Sequence, residues 1–368
     1  MNNTVYNSQL ACLHEAPKPA CTFSPLVSFE RAPNRKAQEA GKIALREGKV
    51  GSVILAGGQA SRLGITTPKG MISVSPILHK SLFQIFAEKI IACNAQVERA
   101  LSVACMTAAQ NHDATNAFFQ SHNFFGLPKD SLSFFMQSTL PFLDDAGKYI
   151  IGPDGIPLQG PDGNGSLFWN MESCGLLQAW EKQGIEHIVV ICVDNPLADP
   201  FDAELIGSHI LANRDITVKA IERIAMKRMA MKKTDPAEHL GIIVEQGKHL
   251  KVCEYFEVSE EIQNARDSTG ALLFPFANIS NFCFSLAFIR KFVTSKHTLP
   301  LHKAHKKPAP ELPPAWKFEY FIFDILEESE NAGVVVYDRS TCFAPLKNND
   351  GPYSLKMVQE ALLQNGIM

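Results

Sequence analysis

The sequence predicts an α/β protein with a mixed, mainly parallel central sheet that is flanked by helices. Short β-branched runs alternate with helical patterns between residues 52 and 193, and the order strand, crossover, strand is typical of a parallel sheet with helices on both faces. After Arg214 several more strands follow with fewer helices between them, which indicates a mixed extension of the same sheet. The chain of 368 residues is 46% apolar, which is enough for a large buried core.

The elements of this fold are predicted in order along the chain. Residues 1–34 are rich in Pro, Ser and Asn and lack periodicity, so we expect a loosely ordered arm there. The predicted helices are residues 35–48, 80–94, 114–122 and 167–183. The predicted strands are residues 52–56, 101–106, 132–136, 187–193, 216–221, 241–245, 250–256 and 279–284.

The composition excludes several classes of function. With 35 basic and 38 acidic residues, the chain lacks the cationic excess expected of a nucleic-acid surface. No apolar stretch reaches the roughly 18 residues that span a bilayer. Nine scattered cysteines without a C-x-x-C pair fit neither a zinc site nor a disulfide framework. The first residues do not form a secretion signal, so we expect a cytoplasmic protein that binds neither membranes nor nucleic acid.

The most informative segment lies between residues 53 and 70. An apolar strand runs into the pair Gly57 and Gly58, where the missing Cβ atoms let backbone amides approach a phosphate or a base. Arg62 and Lys69 then add cations beside this turn. The G-K-[ST] ending of a Walker A loop is absent, and G-x-G-x-x-G does not follow the strand. The segment therefore indicates a different phosphate-binding chemistry.

Further polar residues follow other strands of the predicted sheet. Asp194 ends an apolar strand, where a carboxylate is suited either to hold Mg²⁺ on nucleotide phosphates or to cap a turn. Gln137 and the glycine-rich string 161–165 suit the donors and acceptors of a base edge. They also fit an ordinary strand end and loop. The residues alone leave both pairs of alternatives open.

Taken together, these strings resemble the UDP-N-acetylglucosamine pyrophosphorylase family. The resemblance covers residues 51–348 with the motifs in the same order, and an ordered set is far more specific than any one motif. In the first half, residues 55–64 resemble the family's L-A-G-G-Q-G-T-R-L-G, residues 68–70 P-K-G, residues 135–137 F-x-Q, residues 161–166 P-D-G-N-G-G and residues 193–195 V-D-N. In the second half, residues 233–241 resemble K-T-N-P-x-E-x-x-G, residues 254–257 E-Y-S-E, residues 278–282 N-I-x-N-H, residues 317–324 K-x-E-x-F-x-F-D and residues 343–348 F-x-P-L-K-N.

This resemblance implies a Rossmann-like nucleotidyltransferase fold and an activity. We expect a uridylyltransferase that makes UDP-N-acetylglucosamine and pyrophosphate from UTP and N-acetylglucosamine 1-phosphate, with Mg²⁺ as cofactor. UTP and the sugar 1-phosphate are the expected partners, and the oligomeric state stays open, with a monomer allowed. We expect an N-terminal arm and helix at residues 1–48, the catalytic domain at 49–350 and a short tail at 351–368. The small β-rich C-terminal domain of typical eukaryotic members is expected to be absent.

The resemblance also implies roles for individual residues. Arg62 and Lys69 are expected to stabilise the departing pyrophosphate, and Lys347 to orient the attacking phosphate. Asp194 is the expected metal ligand and a substrate-binding residue. The other expected substrate-binding residues are Leu55, Ala56, Gly57 and Gly58 at the glycine turn, Gln137 and Gly163 at the uracil, Asn164 at the sugar phosphate, Gly241, Glu254, Tyr255 and Asn278 at the sugar, and Lys317 at the triphosphate, with Phe321 and Phe323 as walls of the sugar pocket.

The sequence departs from the family at Ala60, Ser61, Ser166 and Phe282, where the family has Gly, Thr, Gly and His. The same reaction on glucose 1-phosphate or N-acetylgalactosamine 1-phosphate is therefore an alternative, although Gln59 favours the N-acetylhexosamine branch. A catalytically inactive uridine-nucleotide-binding regulator is a second alternative, which the retained set of expected catalytic residues disfavours. A Rossmann-like oxidoreductase is disfavoured because the dinucleotide fingerprint is missing.

Overall fold

The computed structural model of the protein describes residues 3–15, 23–59, 63–64, 67–223, 240–255, 257–295, 297–308 and 311–368. The helices are α1 Asn3–His14, α2 Arg35–Glu47, α3 Leu82–Val97, α4 His112–Ser121, α5 Leu167–Ser173, α6 Leu176–Lys182, α7 Ala203–Leu211, α8 Glu260–Gln263, α9 Leu286–Thr294, α10 Arg339–Cys342 and α11 Leu355–Gln364. The strands are β1 Ser24–Pro25, β2 Glu30–Arg31, β3 Val50–Leu55, β4 Val103–Thr107, β5 Leu132–Met136, β6 Thr139–Pro141, β7 Gln159–Pro161, β8 His187–Cys192, β9 Ile216–Glu222, β10 Ile242–Gln246, β11 His249–Cys253, β12 Phe276–Ser285, β13 His302–Lys306, β14 Ala315–Glu319 and β15 Ala332–Tyr337.

One mixed sheet organises the described chain. Its strands lie in the order β2-β15-β9-β12-β8-β3-β4-β5, and β10 extends it beside β12 together with β1 and β11. Neighbours are parallel from β2 to β9 and from β8 to β5, whereas β12 is antiparallel to both β9 and β8. Because two reversals cancel, β9 runs in the same direction as β8. The carboxyl ends of β3, β4, β5, β8 and β9 therefore meet at one edge of the sheet.

Helices cover both faces of the sheet because successive side chains of its central strands point to opposite sides and most of them are apolar. Val53 and Leu55 of β3 join one core with α5, α6 and α9. Ile54, between them, joins a second core with α2, α3, α4, α7 and α11. Val190 and Val189 of β8 divide between the two cores in the same way. The predicted mixed, mainly parallel sheet flanked by helices is confirmed.

Every predicted strand is present, with its ends within three residues of the predicted ones. The helix predicted at residues 167–183 is instead two helices, α5 and α6, because Gly175 has a left-handed backbone (φ 78°) that separates them. Helices α7, α9 and α11 and strands β13, β14 and β15 were not predicted. These elements are short, and periodicity is a weak signal in short segments.

The prediction of a loosely ordered arm at residues 1–34 is wrong for the part that the structure describes. Residues 3–14 form α1, and β1 and β2 pair with β10 and β15 at the margins of the sheet. Gln9 of α1 is fully buried, and its Nε2 donates to the carbonyl of Pro141 at 2.8 Å. Arg214 binds Glu30 at 2.6 Å. Polar and apolar tertiary contacts order this segment, and such contacts leave no periodic pattern in the sequence.

The last residues of the sequence also take part in the fold. Helix α11 buries Val358 and Leu362 in the core that contains Ile54. The residues expected to form a short tail therefore cover one face of the sheet. None of the helices within the described ranges is long and apolar enough to cross a lipid bilayer.

Candidate active site

The candidate site lies beyond the carboxyl ends of the central strands, where open α/β sheets bind their ligands. Strands β3, β5 and β8 belong to one parallel run. The residues that follow them, Gly57, Gln137 and Asp194, therefore lie along the same edge. The fold thus brings together residues that the sequence places far apart.

The glycine turn after β3 contacts the end of β5. Leu55 and Ala56 are buried, and the amide of Ala56 donates to the carbonyl of Met106 in β4 at 2.7 Å. A Cβ on Gly57 would collide with Nε2 of Gln137, so glycine lets the Gln137 amide lie directly against the backbone of this turn. A Cβ on Gly58 would meet no described atom within 4 Å. Among the described residues, no neighbour therefore requires a glycine at position 58. Gly58 is exposed, so its backbone is accessible to a ligand.

A buried amide that the sequence did not single out holds this turn in place. Nδ2 of Asn111 donates to the carbonyl of Ala56 at 2.9 Å, and its Oδ1 accepts from the amide of Ala108 at 2.8 Å. Asn111 is 2% exposed. An Asn in front of a helix is an ordinary turn residue in sequence terms, so no motif identified it.

The loop at residues 161–166 is held against the segment that follows β14. Gly163 has a left-handed backbone (φ 89°), and a Cβ there would collide with the carbonyl oxygen of Tyr320. Oδ1 of Asn164 accepts from the amide of Ile322 at 3.0 Å. The side-chain oxygen of Asn164 therefore already has a partner within the protein. Residue 162 also bonds to the backbone of residue 138, which places this loop next to Gln137.

Ser166, which stands where the family has glycine, has a backbone that any residue adopts (φ −76°, ψ 0°). Its Oγ donates to Oδ1 of Asp162 at 2.9 Å and accepts from Nδ2 of Asn170 at 2.8 Å. Burial raises the pKa of Asp162 to about 6, and the hydrogen bond from Ser166 opposes that rise. The serine thus stabilises the loop, and its position does not require glycine.

Three charged residues meet at the end of β8. Oδ2 of Asp194 lies 3.9 Å from Nζ of Lys69. The carbonyl of Asp194 accepts from the amide of Leu346 at 2.8 Å, which brings the next residue, Lys347, to the same place. Burial raises the pKa of the Cys192 thiol to about 12, with Asp194 adding to the rise and Lys347 and Lys69 opposing it. All three charged residues therefore lie close to the carboxyl end of β8.

The neighbouring Asn195 connects two segments of this group. Its Nδ2 donates to the carbonyl of Cys342 at 2.8 Å, and its Oδ1 accepts from the amide of Ala344 at 3.0 Å and of Leu197 at 3.3 Å. Asn195 is 1% exposed. It therefore fixes the segment that carries Lys347 against the segment that carries Asp194. The sequence showed Asn195 within its V-D-N string but gave no sign of this role.

A second group of predicted residues meets beyond β11. The amide of Asn278 donates to the carbonyl of Gly241 at 2.9 Å, and a Cβ on Gly241 would lie 3.3 Å from Oε1 of Glu254. Burial raises the pKa of Glu254, Glu257 adds to the rise and Lys347 opposes it. The residues expected at the sugar thus lie beside the lysine expected at its phosphate.

The remaining predicted residues lie on either side of these two groups. Lys317 of β14 donates from Nζ to Glu319 at 2.7 Å, and its charge opposes the rise in the pKa of Asp162, so it lies beside the loop at residues 161–166. The rings of Phe321 and Phe323 stack at 5.1 Å. The carbonyl of Tyr255 accepts from Nε2 of Gln263 at 2.6 Å.

Other predicted positions lie away from the site or outside the described residues. Phe282, expected at the edge of the site, is fully buried in the sheet and packs against Phe284 at 5.6 Å. It lies in the core because it follows the bulge in β12 and pairs with Val190 of β8 and Val218 of β9 in the middle of the sheet. Arg62, Ala60 and Ser61 lie outside the described residues, as does the string 233–239. Their roles stay predictions.

Asp194 fits the ligand chemistry of Mg²⁺. This cation retains several waters and is usually bound by one or two carboxylates together with substrate phosphates. The carboxylate of Asp194 is 21% exposed, and Lys69 at 3.9 Å is too distant to hydrogen-bond to it. Within the described ranges no group of three His, Cys, Asp or Glu residues could hold a metal. A site that is completed by substrate phosphates therefore suits these residues.

Comparisons with known proteins relate the whole chain to one family. Residues 20–364 match the family model described as UTP–glucose-1-phosphate uridylyltransferase. The chain is 33% identical over 354 residues to the UDP-N-acetylglucosamine pyrophosphorylase of Saccharomyces cerevisiae, covering 91% of this chain and 72% of that one. It is 30% identical over 352 residues to UDP-N-acetylglucosamine diphosphorylase 2 of Arabidopsis thaliana, covering 91% and 68%.

Solved structures relate the chain to the same family. The uridine diphosphate N-acetylglucosamine pyrophosphorylase of Trypanosoma brucei, solved in complex with an inhibitor, matches with a TM-score of 0.81 at 27% identity. The match covers 93% of this chain and 73% of that one. The described fold is therefore the fold of these proteins.

Proposed function

The chain belongs to the UTP–glucose-1-phosphate uridylyltransferase family, and we propose that it makes UDP-N-acetylglucosamine and pyrophosphate from UTP and N-acetylglucosamine 1-phosphate. One observation supports this most strongly. Lys69, Asp194 and Lys347 meet at the end of β8, and Lys347 also acts on Glu254. A phosphate-binding charge cluster is thus continuous with a polar pocket that suits a hexose.

The proposed reaction is an in-line displacement at phosphorus. An oxygen of the sugar 1-phosphate attacks the α-phosphorus of UTP, a new P–O bond forms, and the bond to the β-phosphate oxygen breaks as pyrophosphate leaves. Two anions must meet, so charge neutralisation and positioning dominate the catalysis. The attacking oxygen is already ionised at neutral pH. The reaction therefore needs no nucleophilic side chain and no general base.

The proposed roles follow the positions of the charges. Lys347, which lies between Asp194 and Glu254, orients the attacking phosphate. Lys69 stabilises the pyrophosphate that leaves, together with Arg62 by its place in the sequence motif. Asp194 holds Mg²⁺, which when bound neutralises phosphate oxygens and so lowers the barrier to attack. Gln137 and Gly163 flank the glycine turn on the side proposed for the uracil.

The choice of sugar rests on the relatives and on the pocket. Both of the sequence relatives named above carry N-acetylglucosamine in their names, which favours that sugar over glucose. The solved UDP-glucose pyrophosphorylase of Leishmania major, at 17% identity, shares the fold alone. Ser166, one departure from the family, is bonded within the loop, and Phe282, another, lies in the core. Neither departure alters a side chain at the proposed sugar pocket.

We propose the cytoplasm as the location of this reaction. The eight cysteines in the described part of the chain are all free thiols. Free thiols without disulfides are typical of proteins in reducing compartments.

The test is pyrophosphate release from UTP and Mg²⁺ with the 1-phosphates of N-acetylglucosamine, N-acetylgalactosamine and glucose in parallel. We expect the wild type to be fastest with N-acetylglucosamine 1-phosphate. Asp194→Asn removes the charge that holds Mg²⁺ and is expected to lower the rate by about 100-fold or more. Asp113→Asn, an exposed substitution on α4, is the matched control and is expected to keep the wild-type rate. No release with any of the three sugar phosphates would exclude the enzyme and favour a nucleotide-binding regulator.

A further inference from the structure

A half-buried histidine that the reaction above does not use lies between two carboxylates. The side chain of His302, the first residue of β13, is 15% exposed. Its Nδ1 lies 3.2 Å from Oε1 of Glu257, and its Nε2 lies 2.8 Å from Oδ2 of Asp324. The carboxylate of Asp324 is 6% exposed. Both nitrogens of one imidazole thus engage acidic partners on two different segments of the chain.

The first of these segments carries the proposed sugar ligand. Oε2 of Glu257 accepts from the amide of Glu254 at 3.0 Å. One carboxylate therefore contacts His302 with one oxygen and the backbone of Glu254 with the other. Through Glu257, His302 fixes the backbone from which the Glu254 side chain extends.

The second segment carries the aromatic walls and the partner of Asn164. Asp324 lies in the 3₁₀ turn Ile322–Glu328, and the amide of Ile322 bonds to Asn164. The His302 ring lies 4.6 Å from the ring of Phe321 and 6.2 Å from that of Phe323. His302 therefore contacts this turn through a hydrogen bond and through two ring contacts.

We propose that His302 is a positioning residue for the sugar 1-phosphate. It ties the segment of Glu254 and Glu257 to the segment of Phe321 and Asp324, and so sets the width of the sugar end of the site. This role rests on the proposed function, because it assigns to His302 the geometry of a pocket that the reaction requires. At the uridine end, Asn111 holds the glycine turn through the carbonyl of Ala56, and Gly163 lies against the backbone of Tyr320 rather than against His302.

The charge on His302 supports this role. Burial alone would lower its pKa, but the hydrogen bonds to Asp324 and Glu257 raise the pKa to about 9. The imidazolium form donates from both nitrogens, whereas the neutral form donates from only one. The other charged groups that face it are Glu254 and, across the β13–β14 pair, Glu319, which binds Lys317. Deprotonation at alkaline pH therefore breaks one side of the link.

The test is a kinetic comparison of His302→Gln with the wild type. Gln keeps one donor but loses the charge, so one of the two links is lost. We expect the KM for N-acetylglucosamine 1-phosphate to rise roughly tenfold or more, and the KM for UTP to change by less than about twofold. His302→Arg, which keeps a cation with several donors, is expected to recover part of the affinity for the sugar phosphate.

The matched control is His305→Gln. His305 lies on the same strand but on the opposite face, with 42% of its side chain exposed. The KM values of the His305→Gln variant are expected to equal those of the wild type. Equal rises in both KM values for His302→Gln, or no rise in either, would overturn the positioning role.

The wild type provides a second measurement that does not depend on a variant that folds. Its KM for the sugar phosphate is expected to rise as the pH passes about 9, while the KM for UTP stays flat to pH 9.5 or so. A flat sugar-phosphate profile would overturn the proposal. If the wild type makes no UDP-sugar at all, the proposed function fails and this role fails with it; if the wild type is active but His302→Gln behaves like it, only this role fails.

Discussion

At the scale of single residues, two buried amides hold the charged groups of the site in place. Asn111 fixes the glycine turn, and Asn195 joins the segments that carry Asp194 and Lys347. Neither residue carries charge or touches the reacting phosphates in the proposed mechanism. Their effect is on geometry, and misplacing a catalytic group by about 1 Å can cost about 100-fold in rate.

Asn195→Ala is therefore expected to lower kcat by about tenfold or more and the free energy of unfolding by about 1–3 kcal/mol. The substitution leaves the carbonyl of Cys342 and the amide of Ala344 without their partner, so the Lys347 segment loosens. Steady-state kinetics and urea unfolding measure the two effects.

Asn331→Ala is the matched control for that substitution. Asn331 is exposed, and its side chain makes a single hydrogen bond of 2.7 Å to the carbonyl of Asn213. Asn331→Ala should leave kcat unchanged and lower the free energy of unfolding by less than about 1 kcal/mol. If both variants turned over at the wild-type rate, Asn195 would have no part in placing Lys347.

At the scale of elements, the β13–β14 hairpin separates the site from the N-terminal helix. Because cross-strand partners share a face, His302 and Glu319 lie on one side, together with Lys317. The other side packs against α1. There, Nζ of Lys303 donates to the last carbonyls of α1, those of Cys12 and Leu13, at 2.7 and 2.8 Å. Phe318 is 1% exposed in a small apolar cluster with Cys12.

Deletion of residues 1–15 is expected to loosen this hairpin selectively. It uncovers Phe318 and removes the partners of Lys303, so amides in β13 and β14 should exchange faster by about tenfold or more. Amides of β3 and β8, whose side chains belong to cores separate from the apolar cluster of α1, serve as the internal control and should keep their protection. The measurement is native-state hydrogen exchange.

Deletion of residues 1–15 is also expected to change the steady-state kinetics. Because Lys317 and His302 lie on the hairpin, the deletion should raise the KM for UTP and for the sugar phosphate. Exchange that rises equally in all strands would mean that α1 stabilises the whole molecule and has no specific effect on the hairpin.

At the scale of the whole molecule, the sheet decides which side chains reach the site. Strand β12 is antiparallel to both neighbours, and a bulge between Asn278 and Asn281 shifts its register. Asn278 lies before the bulge and meets Gly241, whereas Phe282 lies after it and enters the core. One strand thus serves both the pocket and the core.

Restoring the family residue at this position should therefore cost stability and leave sugar preference unchanged. Phe282→His buries an imidazole among apolar side chains, and we expect the free energy of unfolding to fall by about 2–4 kcal/mol. Phe134→His on the edge strand β5, where Phe134 is half-buried, is the control and should cost less. A stable Phe282→His with altered preference among the three sugar phosphates would place residue 282 at the site after all.

The central sheet and the order of the motifs could be predicted from the sequence. Short continuous runs of apolar, β-branched residues marked the central strands, since both faces of such a strand are buried. The pair Gly57 and Gly58, with Lys69 nearby, marked a phosphate-binding turn, because close backbone approach needs glycine. Family resemblance then supplied Asp194 and Lys347. These signals are local in the chain, so one sequence suffices to find them.

Which residues lie in contact with one another became known only from the three-dimensional structure. The bonds of Asn195 to Cys342 and of His302 to Glu257 and Asp324 join segments that are distant in sequence. The burial of Phe282, the contact of α1 with the hairpin and the internal bonds of Ser166 depend in the same way on how the elements pack. A side chain's partners follow from the positions of whole strands and helices, and periodicity and spacing report only on its neighbours along the chain.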